Sequence, residues 1–145
     1  MKQYKMKNIF YICSLVCCVI LLGSCAKGDQ NGDLDGMWQM TQWRDKATGD
    51  TIKTQQDGIF YCVQLNLIKI QEGGVGNYHY LAYFRQTSDS LILGKTVKWP
   101  AETDAEETEL TQYGVPANKR FHIDALTDKN LVLSSEQSIL TFRKY

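Results

Sequence analysis

His79, His122 and Cys62 are the side chains beyond residue 25 best suited to metal or nucleophilic chemistry. A zinc site wants a third ligand of suitable type, and no spacing around the two histidines supplies one. Cys62 sits in an apolar run with nothing nearby to depress its pKa, which suits a small hydrophobe better than a catalytic thiol. Neither a Gly-x-Ser-x-Gly elbow nor an arguable Cys–His pair is present. Among 16 acidic residues, nothing singles out the pair of carboxylates that glycoside hydrolysis needs. The acidic run at 102–109 lacks the spaced Asp/Asn pattern and central Gly of a calcium loop. Gly73-Gly74-Val75-Gly76 could suggest a phosphate cradle, but no Lys-Ser/Thr pair or helix follows, so it reads as a hairpin loop. These residues predict a protein that is not an enzyme and holds no metal or cofactor.

A different chemistry belongs to tyrosines set among aliphatic residues at every second position. Tyr61, Val63 and Leu65 share one face of a run at 59–70, and Tyr78, Tyr80 and Phe84 form an aromatic stripe. Two readings fit. Such faces can fill a core, or they can wall a cavity for a small, mostly apolar ligand, where a buried hydroxyl finds a partner in the ligand or a trapped water. The cavity reading selects Tyr61, Val63, Leu65, Tyr80 and Phe84 as the wall.

Cys25 offers a third kind of chemistry. It ends a segment that opens with Lys2, Lys5 and Lys7, continues as an apolar run of about 14 residues and closes on the small pair Gly23-Ser24. That is the pattern of a secretory signal, and the run falls short of the roughly 20 residues a membrane span needs. Leu22-Gly23-Ser24-Cys25 resembles a bacterial lipobox, in which cleavage before the Cys is followed by acylation of its sulfur and amine. The resemblance implies a signal peptide at 1–24 and a lipid anchor at Cys25, and such acyl chains hold a protein on a membrane without a spanning helix. Residues 25–35, rich in Gly, Asp and Asn, read as a flexible tether. The expected location is the bacterial outer membrane, with the periplasmic and surface faces both open. Cys13, Cys17 and Cys18 leave with the signal, so Cys62 has no intrachain disulfide partner.

Residues 36–145 must position these groups. About 120 residues remain without the signal, enough for one domain. Once the three signal lysines are gone, 13 basic side chains face 16 acidic ones, a net charge of about −3. Scattered lysines on a slightly acidic domain give no footprint for nucleic acid. Period-2 alternation between turn clusters places strands at 36–44, 51–55, 59–70 (with a bulge at Leu67-Ile68), 78–85, 91–99, 120–126, 131–134 and 138–143. The segment 101–112 reads as one short helix, capped by Thr103 or Asp104 and stopped by Gly114 and Pro116. About eight short, evenly punctuated strands make an all-β antiparallel sandwich or closed barrel.

Gly36-x-Trp38 at the start of the first strand resembles the opening motif of lipocalins and related calycin barrels. The resemblance implies that Gly36 and Trp38 close one end of a barrel, with Arg143 from the last strand packed across the Trp by a cation–π contact. The segments 110–116, 121–126 and 131–133 look like the lipocalin-like lipoproteins common in Bacteroides relatives, and together these matches cover most of residues 34–145. An eight-stranded lipocalin-like barrel over 36–145 is therefore expected. One departure is the helix, which precedes the last three strands, whereas in lipocalins it follows the eighth. The function implied is a membrane-anchored lipoprotein that binds a small apolar ligand inside or near the open end of its barrel. The alternative is a filled-core interaction module that binds a protein or envelope partner through its loops, around 102–114.

Overall fold

The computed structural model describes residues 30–73 and 79–145. The expected signal peptide, the expected lipidation site Cys25, Tyr78 and most of the glycine loop lie outside the described residues. Short alternating runs yield ten strands, β1 (Gly36–Asp45), β2 (Thr51–Lys53), β3 (Ile59–Gln64), β4 (Leu67–Glu72), β5 (His79–Gln86), β6 (Ser90–Trp99), β7 (Thr103–Asp104), β8 (Arg120–Leu126), β9 (Asn130–Ser134) and β10 (Ser138–Lys144), with one five-residue helix, α1 (Glu107–Thr111). Eight of them (β1, β3, β4, β5, β6, β8, β9 and β10) pair antiparallel in a ring that the β10–β1 ladder closes. β2 and β7 hang on β1 and β6 as short side strands. The expected all-β barrel is present, and its closure removes long unpaired edges.

Side chains alternate inward and outward along the ring strands. Trp38, Tyr61, Phe121 and Phe142 are fully buried inside. The Tyr61 ring lies 4.9 Å from that of Phe142 and 6.5 Å from that of Phe121, so rings from β3, β8 and β10 meet across the interior. Burying one such ring stabilises the fold by about 3 kcal/mol, and each ring pair adds about 1 kcal/mol.

The closed end is built around Trp38. A 3-10 turn at Gly32–Leu34 tucks Leu34 under the barrel, and the Trp38 indole N–H donates to the Leu34 carbonyl at 2.8 Å. Residues 31–35, expected as tether, therefore pack as part of the domain. The cation over Trp38 is Lys144, with Nζ 4.9 Å from the ring centroid and donating to the Asp33 carbonyl at 3.0 Å. Gly36 has a φ of +132°, and a Cβ there would stand 2.8 Å from Lys144 Cε. That backbone conformation favours glycine, and the missing Cβ leaves room for the Lys144 stem. Arg143 does not take the role expected of it. It faces outward, where its Nε–H donates to Gln39 Oε1 at 2.8 Å, because it pairs with Gln39 while Lys144 pairs with Trp38.

Two elements also differ from the expectation. The run 59–70 is not one bulged strand but a tight hairpin, β3 to β4, turning at Leu65-Asn66. Leu65 holds the turn with a φ of +56°, a conformation usually left to Gly or Asn, and the phase break at Leu67 is the chain reversing. The helix starts later than expected, because Thr103 and Asp104 pair with β6 as β7 and Glu106 takes the capping position.

Candidate binding site at the capped mouth

The expected wall residues separate into two groups. Tyr61, Val63 and Tyr80 point inward and are buried, and Phe84 packs half-buried against the same core. Leu65 does not join them. It stands 55% exposed in the β3–β4 turn, at the closed end of the barrel. Tyr61 Oη donates to the Tyr113 carbonyl at 2.7 Å, and the Tyr80 and Tyr113 rings are 5.4 Å apart. The partner that a bound ligand was expected to give the Tyr61 hydroxyl thus comes from the chain itself.

The mouth is covered by α1 and the residues that follow it. Leu110 and Val115 insert into the core from this segment. The Glu106 backbone N–H donates to Glu109 Oε2 at 3.2 Å, and Glu109 also pairs with Lys98 of β6. The Lys98 hydrogen bond, then that from the Glu106 backbone, hold the Glu109 carboxyl below its ordinary range. Gly114, at φ +85°, ends the segment where a Cβ would meet Leu140 Cδ1 at 2.7 Å. The cover rests at Gly114 directly on the Leu140 side chain of β10.

A cleft of about 270 Å³ opens where this cover meets the β9–β10 turn. Trp43, Val115, Pro116 and Ala117 give it an apolar lining, with Glu107 and Gln137 among its polar neighbours. Trp43 reaches the mouth because β1 is irregular between Met40 and Gln42. That bulge resets the alternation, so Trp43 packs against the same core as Trp38 and Met40. The sequence reading assigns Trp43 no role and takes Gly114 and Pro116 only as helix stops. A second groove, about 610 Å³ and polar, runs outside the barrel along Gln39, Gln42, Lys53 and Gln55.

Among the described residues, no titratable group is shifted toward an activated nucleophile. Burial raises the pKa of Tyr61 far above its ordinary value. Tyr80 is raised by burial and then by Glu109, against the pull of Lys98, and Tyr113 by burial and then Tyr80. Neutral phenols of this kind pack and hydrogen-bond rather than take protons. The Cys62 thiol is pushed up by burial, partly offset by Lys69, which is the reverse of activation. Sequence reading overlooks one cluster, in which Asp124 Oδ1 lies 2.8 Å from His122 Nδ1 and accepts from Ser134 Oγ at 2.9 Å. The carboxylate stands between serine and imidazole, so the imidazole cannot take the serine proton as a triad requires. His79 lies elsewhere, with its ring 6.3 Å from that of Trp99. Among the described residues no group of three His, Cys, Asp or Glu side chains could hold a metal ion.

The motif at the closed end and the eight-stranded ring agree with what comparison with known proteins finds. Residues 19–145 match the lipocalin-like domain family. The chain belongs to that family. Its lipocalin-like barrel is similar to the crystal structure of a lipocalin-like protein from Bacteroides uniformis, with a TM-score of 0.60 at 24% identity, covering 79% of this chain and 100% of the other. An uncharacterised protein from Bacteroides eggerthii matches with a TM-score of 0.55 at 23% identity, over 77% of this chain and 98% of that one. A protein from Burkholderia xenovorans, solved by NMR, gives 0.52 at 14% identity, over 77% and 82%. These likenesses concern the lipocalin-like fold. No curated protein matches the chain.

Proposed function

We propose that this lipocalin-like protein is a non-enzymatic binding module of the bacterial envelope, lipid-anchored through Cys25, that recognises a small, mostly apolar group at the capped mouth of its barrel. The observation that carries this reading is the closed ring of contacts inside the barrel. Tyr61 packs on Phe121 and Phe142 and spends its hydroxyl on the Tyr113 carbonyl, so the accessible concave apolar surface lies at the Trp43–Val115–Pro116 cleft. At about 270 Å³ the cleft is just under the range of sites for whole drug-sized ligands. It suits one aromatic or branched aliphatic group, such as a side chain presented by an envelope protein. A second reading keeps the interior as the site. It is favoured by the shortness of the cover, a five-residue helix whose displacement would uncover Tyr61 and Tyr80.

Amide chemical shifts separate the two. The protein is titrated with short apolar peptides and, in parallel, with fatty acids. Shifts confined to Trp43, Thr111, Gly114, Ala117 and Gln137, and lost in Ala117→Trp, support the cleft. Shifts at Tyr61, Phe121 and Phe142 favour an opening cover and an interior ligand. Silence towards both panels would sink the binding-module reading.

A further inference from the structure

The closed end of the barrel carries an apolar edge that neither the cleft nor the core accounts for. Leu65 is 55% exposed, Leu67 38% and Tyr83 64%. Leu67 and Tyr83 are direct cross-strand partners on β4 and β5, and both are exposed on the outer face, so their side chains are neighbours. Leu65 lies two residues before Leu67, in the turn, and holds the left-handed φ that L residues other than Asn rarely adopt. An exposed leucine in that conformation combines two unfavourable features at one position. Lys69 and Arg85 follow two residues along each strand on the same outward side, and because the strands are antiparallel Lys69 lies toward the mouth and Arg85 toward the turn at the closed end.

The chain's own path says what this edge faces. Asn31 Nδ2 donates to the Leu65 carbonyl at 2.5 Å, so the segment leading back to Cys25 departs from beside the edge. Asn31 lies six positions after Cys25, a stretch that can span at most about 20 Å. A ten-residue strand such as β1 is about 33 Å long, so an acylated Cys25 holds the closed end, not the mouth, against the bilayer. Tyrosine with its apolar ring and polar tip suits the headgroup boundary, the leucines beside it add apolar contact at that level, and Lys69, one step toward the mouth, suits the anionic phosphates above.

We propose that Leu65, Leu67 and Tyr83 form a lipid-contacting edge that seats the closed end of the barrel on the membrane surface and points the mouth away from it. The proposal rests on the lipid-anchor reading given above, and its test separates the two. The full chain is produced in a bacterium that processes lipoproteins, in a Cys62→Ser background, with a bimane probe on Asn66→Cys beside the edge or on Gln137→Cys at the mouth. Each protein is reconstituted in phosphatidylcholine–phosphatidylglycerol vesicles containing doxyl-labelled lipid, and its intact mass is recorded. The expected result is an acylated Cys25 with quenching at residue 66 several-fold above that at 137. Adding Leu65→Asn, Leu67→Asn and Tyr83→Ser together should lower the quenching at residue 66 several-fold while leaving it above that at 137, because the tether still holds the closed end nearer the bilayer. Because these side chains are exposed, the thermal midpoint of the combined variant should not fall, which excludes unfolding as the cause. Equal quenching at 66 and 137 in acylated protein, or quenching that the combined variant leaves intact, overturns the lipid edge and spares the anchor. A mass without acyl chains overturns the anchor, and the edge with it.

Discussion

Tyr61 brings a hydroxyl to the centre of an apolar barrel and keeps it neutral by burial. The folded state therefore holds this proton more tightly than the unfolded chain, in which a tyrosine ionises near pH 10. Its contribution is whole below about pH 10 and falls as the pH rises above it, because the unfolded state then releases a proton that the folded state retains. Tyr61→Phe should cost about 1 kcal/mol at neutral pH, since the Tyr113 carbonyl loses its donor. The same variant should make the alkaline decline shallower, as read from urea midpoints on either side of pH 10. Tyr80 and Tyr113 are raised in the same direction, so some decline persists without Tyr61. An unchanged slope would mean that the hydroxyl is not sealed from water.

The cover over the mouth is an element with few fixings, and Gly114 is the tightest of them. Gly114→Ala puts a Cβ against Leu140, which is fully buried, in a backbone conformation that alanine resists. A loss of about 2 kcal/mol is expected from the two effects together, with hydrogen exchange accelerated in 107–115 ahead of the ring strands. Uniform acceleration would show that the cover and the barrel open as one unit. The ring strands themselves were largely legible, since Trp38, Met40, Tyr80, Ala82, Leu140 and Phe142 alternate as a half-buried strand should. What could not be read were the places where alternation is reset. A leucine in a left-handed turn disguised the β3–β4 reversal, and a bulge hid the part Trp43 takes in the cleft. The closing cation was within reach of sequence reasoning. Leu140 and Phe142 face inward, and the same parity points position 144, rather than Arg143, toward Trp38.

For the molecule as a whole, the decisive pairing is the one between β1 and β10. Thr41 Oγ1 donates to the carbonyl of Thr141 at 3.1 Å across this seam, a separation of 100 residues. A chain shortened to end at Gln137 loses the partner of both β1 and β9, together with Leu140 and Phe142 from the core. Urea titration of that chain by circular dichroism should show no cooperative transition, whereas a sigmoidal curve would mean that the open sheet is stable without its seam. The same geometry sets a timetable. Joining strands so distant in sequence is slow, and during synthesis the seam cannot form until β10 has left the ribosome. Until then the nascent chain is an open ribbon with two unmatched edges. The order in which the strands are made thus delays closure of the barrel until the last of them has been delivered.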